Sequence, residues 1–420
     1  MSAIAGVWSF GDEAGSAVLG GHLLDRQSAY GPHGRNALHQ SGYFAGRCLY
    51  RMLPEDEFDR QPLTGGDGRF ILVADLRLDN RDELLSDLGI AGPETARLSD
   101  SALLLRGWLA WGHGLLERMI GDFAFALWDS RDRSLLLARD TAGERPLHYR
   151  RGDGWFAFAT MAAPLAGLPG AKTDVDEERI ARFVADLPPG GRNSFFAQVR
   201  SLEPGHRALV TTGGIKVEPY WEPRRPTLRL SRPRDYGEAL REQLDRAVAR
   251  RLRRAGGLVG SQLSSGFDSS AVTTSAAIAL AARGERLLAF TSAPREGFAG
   301  PVVAGRIGDE SALAAETAAL HPGIDHQVVR DGGGRALELL SDSHRLAGQP
   351  VGHVCNNVWW HAINRSAAQA GVSVMLTGEA GNFTISAGLG VDTLGDLVRA
   401  GAWGRWWSEA RALKRRREFD

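Results

Sequence analysis

The sequence predicts two domains of different class, an α+β domain over 1–225 and an α/β domain built on a doubly wound parallel sheet over 226–420. Three observations carry this. The first half consists of short apolar and aromatic segments bounded by Gly, Asp or Arg, as in antiparallel sheets. The second half alternates short apolar strands with longer segments of helical period, as in a parallel sheet. The first such alternation is joined by a hydroxyl-rich turn, Ser261-Gln262-Leu263-Ser264-Ser265-Gly266-Phe267-Asp268-Ser269-Ser270.

In chain order, strands are expected at 4–10, 42–49, 70–76, 123–128, 134–139 and 155–160, with helices at 101–111 and 177–185. Ser99-Asp100 supplies an N-cap for the first helix. Thr212-Gly213-Gly214 between 205–210 and 215–218 reads as a hairpin turn. Trp221-Glu222-Pro223-Arg224-Arg225-Pro226 reads as the interdomain linker. A long helix follows at 234–254, then a strand at 257–260, the hydroxyl-rich turn, and a helix at 270–282. Further strands are expected at 286–292, 325–329 and 372–376, with helices at 309–319 and 356–370. Ligands of such sheets bind beyond the carboxyl ends of the strands, where loops 261–270 and 377–386 fall.

The chain has 420 residues, 43% hydrophobic and 24% charged, with a formal net charge of zero. This balance fits a soluble globular protein and offers no global attraction for nucleic acid or membrane. Lysine occurs only at Lys172, Lys216 and Lys414, which restricts where a catalytic lysine can stand. Two cysteines, Cys48 and Cys355, give neither a disulfide framework nor metal-ligand spacing, and a cytoplasmic location is expected. The first residues lack a signal-peptide pattern, and no apolar run is long enough to span a bilayer.

Backbone N–H groups at a helix start carry partial positive charge and hold anions. In the turn, Ser264, Ser265, Ser269 and Ser270 add hydroxyl donors. Asp268 repels a phosphate unless a cation lies between them. The segment therefore reads as a pyrophosphate–Mg²⁺ site. It is not a Walker A loop, because that motif's lysine is absent.

The turn resembles the Ser-Gly-Gly-Xaa-Asp-Ser-Ser loop of the ATP-pyrophosphatase superfamily in the form used by asparagine synthetase-like enzymes, with Ser265 in place of the first glycine. Those enzymes adenylate a carboxylate with ATP, so the resemblance implies ATP and Mg²⁺. It implies nucleotide contacts from Leu263, Ser264, Ser265, Gly266, Phe267, Asp268, Ser269, Ser270, Thr291, Thr377 and Gly378. The segment Thr377-Gly378-Glu379-Ala380-Gly381-Asn382 is similar to the family's Ser-Gly-Glu-Gly-Xaa-Asp, which places Glu379 as the catalytic carboxylate that prepares the attacking amine. Metal ligands are then Asp268 and Asn382, the latter uncharged where the family has aspartate. Gly308-Asp309-Glu310-Ser311 resembles the family's Asp-Glu before a helix, with Glu310 facing the nucleotide.

The first half resembles the glutamine amidotransferase domain of the same enzymes, through Gly31-Pro32-His33-Gly34, Gln61-Pro62-Leu63, Gly121-Asp122-Phe123-Ala124-Phe125 and Leu202-Glu203-Pro204-Gly205-His206. This implies an Ntn-hydrolase-like α/β sandwich. It is a degenerate glutaminase by the same comparison. Ser2 stands where the family has its N-terminal cysteine, and Asp75-Leu76-Arg77 stands where it has Asn-Gly-Glu. An aspartate repels a developing oxyanion. Arg47 and Asp100 remain from the glutamine pocket and are expected to act structurally.

The form Leu376-Thr377-Gly378-Glu379-Ala380-Gly381-Asn382-Phe383-Thr384-Ile385-Ser386, together with 290–301, is similar to lasso-peptide macrolactam synthetases. That resemblance implies a precursor or core peptide as substrate, activation of its Asp or Glu side chain, and attack by its own N-terminal amine. It also implies a leader peptidase and a leader-recognition protein as partners. Relatives continue into a helical region with a catalytic lysine, whereas here Lys414 is the one lysine beyond Ser386, so the second domain is expected to be C-terminally short. The alternatives are a small-molecule amide synthetase, such as a β-lactam-forming enzyme or degenerate asparagine synthetase, and an inactive nucleotide- or peptide-binding homologue.

Overall fold

A computed structural model describes all residues except Asp12, Pro189, 225–227, 303–306, 331–334, 387–390 and 418–420. The expected domain boundary at 225/226 lies outside the described residues. Contacts divide the chain into two units. The first holds Met1–Thr227, Arg253–Gly256 and Arg335–Asn357; the second holds Leu228–Leu252, Gly257–Gly334 and Val358–Asp420.

The first unit runs β1 (Ala3–Ser9), α1 (Glu13–Asp25), β2 (Arg35–Gln40), β3 (Tyr43–Cys48), β4 (Leu63–Gly65), β5 (Phe70–Leu78), α2 (Arg81–Asp87) and α3 (Asp100–Trp111). It continues through β6 (Gly121–Asp129), β7 (Ser134–Arg139), β8 (His148–Gly152), β9 (Trp155–Ala159), α4 (Ala162–Ala166), α5 (Glu177–Val184), β10 (Arg200–Ser201), β11 (His206–Thr211) and β12 (Gly214–Pro219). The strands form two six-stranded sheets, ordered β10-β8-β9-β1-β3-β2 and β12-β11-β7-β6-β5-β4, with antiparallel pairing throughout.

The period of two along each strand assigns every side chain to a layer. Ile4 and Trp8 of β1, Ile71 and Val73 of β5, and Ala124, Ala126 and Trp128 of β6 fill the space between the sheets. There Trp128 stacks on Tyr43 at 4.9 Å and meets Trp8 edge-on at 4.7 Å. The alternate residues Leu72, Ala74 and Leu76 of β5 and Phe123, Phe125 and Leu127 of β6 pack under α2 and α3. Ala3, Ala5 and Val7 of β1 pack under α1 and α4. The result is a helix–sheet–sheet–helix sandwich. Ser2 and Asp75 share the intersheet parity, so the sandwich brings these two expected remnants of the glutaminase site face to face.

The second unit carries α6 (Pro233–Arg251), β13 (Leu258–Gln262), α7 (Phe267–Ala281), β14 (Leu287–Ala293), α8 (Ser311–Ala319) and β15 (Ile324–Arg330). After α9 (Ala336–Ala347), which belongs to the first unit, come α10 (Val354–Gln369), β16 (Val372–Leu376), α11 (Val391–Arg399) and α12 (Trp403–Arg417). The sheet is parallel, in the order β15-β14-β13-β16. One face buries Leu287, Ala289 and Leu376 against Val248, Val272, Ala276, Leu280 and Ala314 of α6, α7 and α8. The other buries Phe290 against Ile363 and Ala367 of α10. Helices thus cover both faces.

Two expected boundaries shift for local reasons. The helix expected from 270 begins at Phe267, because Gly266 is its extended N-cap and Ser269 and Ser270 lie inside its first turn. The helix expected to reach 254 ends at Arg251, and Arg253–Gly256 makes its contacts within the first unit.

Candidate functional site

Parallel pairing aligns the carboxyl ends of β13, β14 and β16, with Ser261 opposite both Ala289 and Leu376. Beyond those ends lies a cavity of about 770 Å³. It is lined by Leu263, Ser264, Gly266, Asp268 and Ser269 of the turn, Thr291 of β14, Glu310 before α8, and Gly378, Glu379 and Asn382 after β16. The sequence reading named every one of these. It also named Ser265, Phe267, Ser270 and Thr377, which lie in the same loops without lining the cavity. Phe267 projects into solvent with 80% of its surface exposed. The contribution of α10 was not foreseen: Trp359, Trp360 and Ile363 close one side of the cavity beside Phe290. Trp359 and Trp360 carry no motif, and only the packing of α10 beside Phe290 reveals them.

The turn is braced by its own hydroxyls. The Ser264 and Ser269 Oγ atoms lie 2.7 Å apart, Ser264 N–H donates to Ser269 Oγ at 3.1 Å, and Gly266 N–H donates to Ser264 Oγ at 3.1 Å. The replaced glycine, Ser265, gives both its N–H and its Oγ–H to Glu310 Oε2, each at 2.9 Å. Thr291 Oγ1 donates to Leu263 O at 2.7 Å and lies 2.7 Å from Nε2 of His326, whose pKa burial lowers. Neutral His326 therefore supplies the Nε2–H, and Thr291 anchors the turn with its hydroxyl already engaged.

The loop after β16 packs directly on the start of α7. A Cβ on Gly378 would stand 2.5 Å from Ser269 N, and one on Gly381 would stand 2.3 Å from Asp268 Cγ. Any larger residue displaces the turn or the carboxylate, which is why glycine occupies both places. Asp268 lies in the first turn of α7, where the helix end favours its charge. Its Oδ2 accepts from Ser386 Oγ at 3.1 Å, while its Oδ1 is buried without a hydrogen-bond partner among the described residues. An unsatisfied buried carboxylate oxygen beside anion-binding N–H groups fits a divalent cation bridging to phosphate. Asn382 Oδ1 accepts from Ser386 Oγ at 3.2 Å. Glu379 is exposed at the cavity rim.

In the first unit the expected glutaminase remnants are engaged in other contacts. Ser2 is 4% exposed; its Oγ contacts Tyr50 O at 3.5 Å and accepts Tyr50 N–H at 3.0 Å. Ser2 N–H donates to Asp75 Oδ1 at 3.0 Å, and Arg145 lies 3.7 Å from Asp75 Oδ2. A carboxylate thus stands where an oxyanion needs donors. Asp100 is taken by Leu78 N–H, Arg81 and Arg253, the last at 2.6 Å, and Arg47 pairs with Asp59. Arg253 lies in the segment that returns to the first unit after α6, a role no local pattern announces.

Two family models match the chain. The glutamine amidotransferase domain model matches residues 1–221 and the asparagine synthase model matches 239–417. With its antiparallel sheets sandwiched between helices, the first domain is Ntn-hydrolase-like, and the second is a parallel-sheet asparagine synthase domain. Asparagine synthetase [glutamine-hydrolyzing] 3 of Bacillus subtilis is 27% identical over 61% of this chain and 42% of its own length. The putative asparagine synthetase [glutamine-hydrolyzing] of Mycobacterium tuberculosis is 32% identical over 57% of this chain and 38% of its own length. The chain thus aligns with about two-fifths of the length of these curated relatives. Among solved structures, glutamine phosphoribosylpyrophosphate amidotransferase of B. subtilis aligns over 90% of this chain and 91% of its own, at 12% identity and a TM-score of 0.38.

Proposed function

We propose, on the premise that this chain belongs to the asparagine synthetase family, that it is an ATP-dependent amide ligase that adenylates a carboxylate and takes its amine from the substrate, closing the macrolactam ring of a lasso peptide. The observation that carries the adenylation is the convergence of the hydroxyl turn, Asp268 and the Gly378–Glu379 loop on one cavity.

The substrate carboxylate attacks the α-phosphorus of ATP and pyrophosphate leaves. The amine then attacks the activated carbonyl and AMP leaves. The backbone N–H groups in the first turn of α7 bind the departing pyrophosphate at the helix's positive end, and the braced hydroxyls hold the turn in place. Asp268 and Asn382 would hold Mg²⁺, which, when bound, offsets the phosphate charge. Glu379 accepts the ammonium proton of the incoming amine, since only the free amine is nucleophilic. Phe290 and the two indoles exclude water from the activated carbonyl.

The peptide substrate is read from the resemblance of 290–301 and 376–386 to lasso-peptide cyclases, and from a first domain whose glutamine-binding positions are engaged internally. An amine delivered on the substrate makes ring closure intramolecular, with the gain in effective concentration that follows. A leader peptidase and a leader-recognition protein are its expected partners, and the cytoplasm its expected compartment. Among the described residues no helix is long and apolar enough to cross a membrane. A second reading, a small-molecule amide synthetase, is favoured by the two relatives named above, an asparagine synthetase and a putative one.

Carboxylate-dependent ATP–pyrophosphate exchange tests the proposal. A linear core peptide should support exchange, and Asp268→Asn should reduce it at least about a hundredfold. Exchange with aspartate but not with peptide selects the second reading. No exchange with either, from a folded protein, refutes adenylation.

A further inference from the structure

Ser386 lies outside the cavity lining, yet it is the residue that joins the two expected metal ligands. Its backbone N–H donates to Gly381 O at 3.0 Å. Phe383 N–H and Thr384 N–H close turns onto Ala380 O and Gly381 O, both at 2.9 Å. The hydroxyl is therefore held by a braced loop. Its Oγ is 3.1 Å from Asp268 Oδ2 and 3.2 Å from the Asn382 side-chain amide.

A serine hydroxyl has one hydrogen, here shared between two acceptors, Asp268 Oδ2 and Asn382 Oδ1. The charge-assisted arm to Asp268 is the stronger. The shared hydrogen draws the two side chains together and leaves Oδ1 of Asp268 and the second lone pair of Asn382 Oδ1 for another ligand.

We propose that Ser386 is a positioning residue for the divalent cation: it holds Asp268 by one oxygen and orients the Asn382 amide, so that each presents an oxygen ligand. This inference rests on the adenylating reading of the site.

The test is Mn²⁺ binding, read by its paramagnetic resonance spectrum, to the whole chain with a non-hydrolysable ATP analogue. Ser386→Ala should weaken Mn²⁺ binding about tenfold, the scale of one charge-assisted hydrogen bond. Ser386→Cys, close in shape but a poor donor, should weaken it likewise. Ser386→Thr, which keeps the hydroxyl, should bind as wild type. Affinity for the analogue without metal should stay unchanged in all three, a split that a collapsed loop does not produce. Wild-type Mn²⁺ affinity in both Ser386→Ala and Ser386→Cys overturns the proposal, as does equal weakening in Ser386→Thr. If the wild type binds the analogue but no Mn²⁺, this inference alone fails; if it binds neither, the adenylating reading fails with it.

Discussion

Single residues divide into those that announce their chemistry and those that do not. Ser264, Asp268, Ser269, Gly378 and Glu379 were legible because a strand–turn–helix setting gives hydroxyls and a carboxylate few other purposes. Trp359, Trp360, Ser386 and Arg253 were not, since each acts through a partner far away in sequence: Ser386 meets Asp268, and Arg253 meets Asp100. His148 is a similar case in the first domain. It is partly buried, its Nδ1 lies 2.8 Å from Thr160 O, and desolvation pushes its pKa down to about 4. Because the unfolded chain titrates near pH 6.5, it binds a proton that the folded state refuses. Stability should therefore fall as the pH drops from about 6.5 towards 4, by a total on the order of 3 kcal/mol. Denaturant unfolding of wild type and His148→Gln across that range checks this; the variant should lose that part of the pH dependence.

At the level of elements, the apolar and alternating strands were legible, but β2, β4, β8 and β10 were not, being short or largely polar and exposed. Helix ends were less legible. α1 went unseen because its glycines and alanines give little amphipathic signal, although its leucines Leu23 and Leu24 are fully buried under β1. The functional consequence of element packing is sharpest where the loop after β16 lies on α7. Gly381→Ala adds a methyl 2.3 Å from Asp268 Cγ, so either the loop or the carboxylate must move. Nucleotide–metal affinity should fall at least about tenfold, measured by calorimetric titration, with the far-ultraviolet dichroism of the wild type retained. Wild-type affinity in this variant would show that the loop has room the structure does not.

Across the whole molecule, the class of each domain was legible, but not how the first unit is completed. Arg253–Gly256 and Arg335–Asn357 join the first unit from beyond the linker, and no composition shift marks them. The same scale explains why the fold of the first domain does not depend on its expected site residues. Its core rests on Trp8, Tyr43, Trp128 and the alternating strands, none of which touches the chemistry. The expected site residues are held by their neighbours: Ser2 is held by Tyr50, Asp75 faces it, and Asp100 is bound by arginines. The central claim is that the amine comes with the substrate and not from glutamine. It is tested most directly by incubating the protein with ATP, Mg²⁺, a linear core peptide and glutamine isotopically labelled at its amide nitrogen, and weighing the product. The account predicts a peptide lighter by about 18 Da, the water lost on condensation, and free of label. A product carrying the labelled nitrogen, with glutamate released, would contradict it.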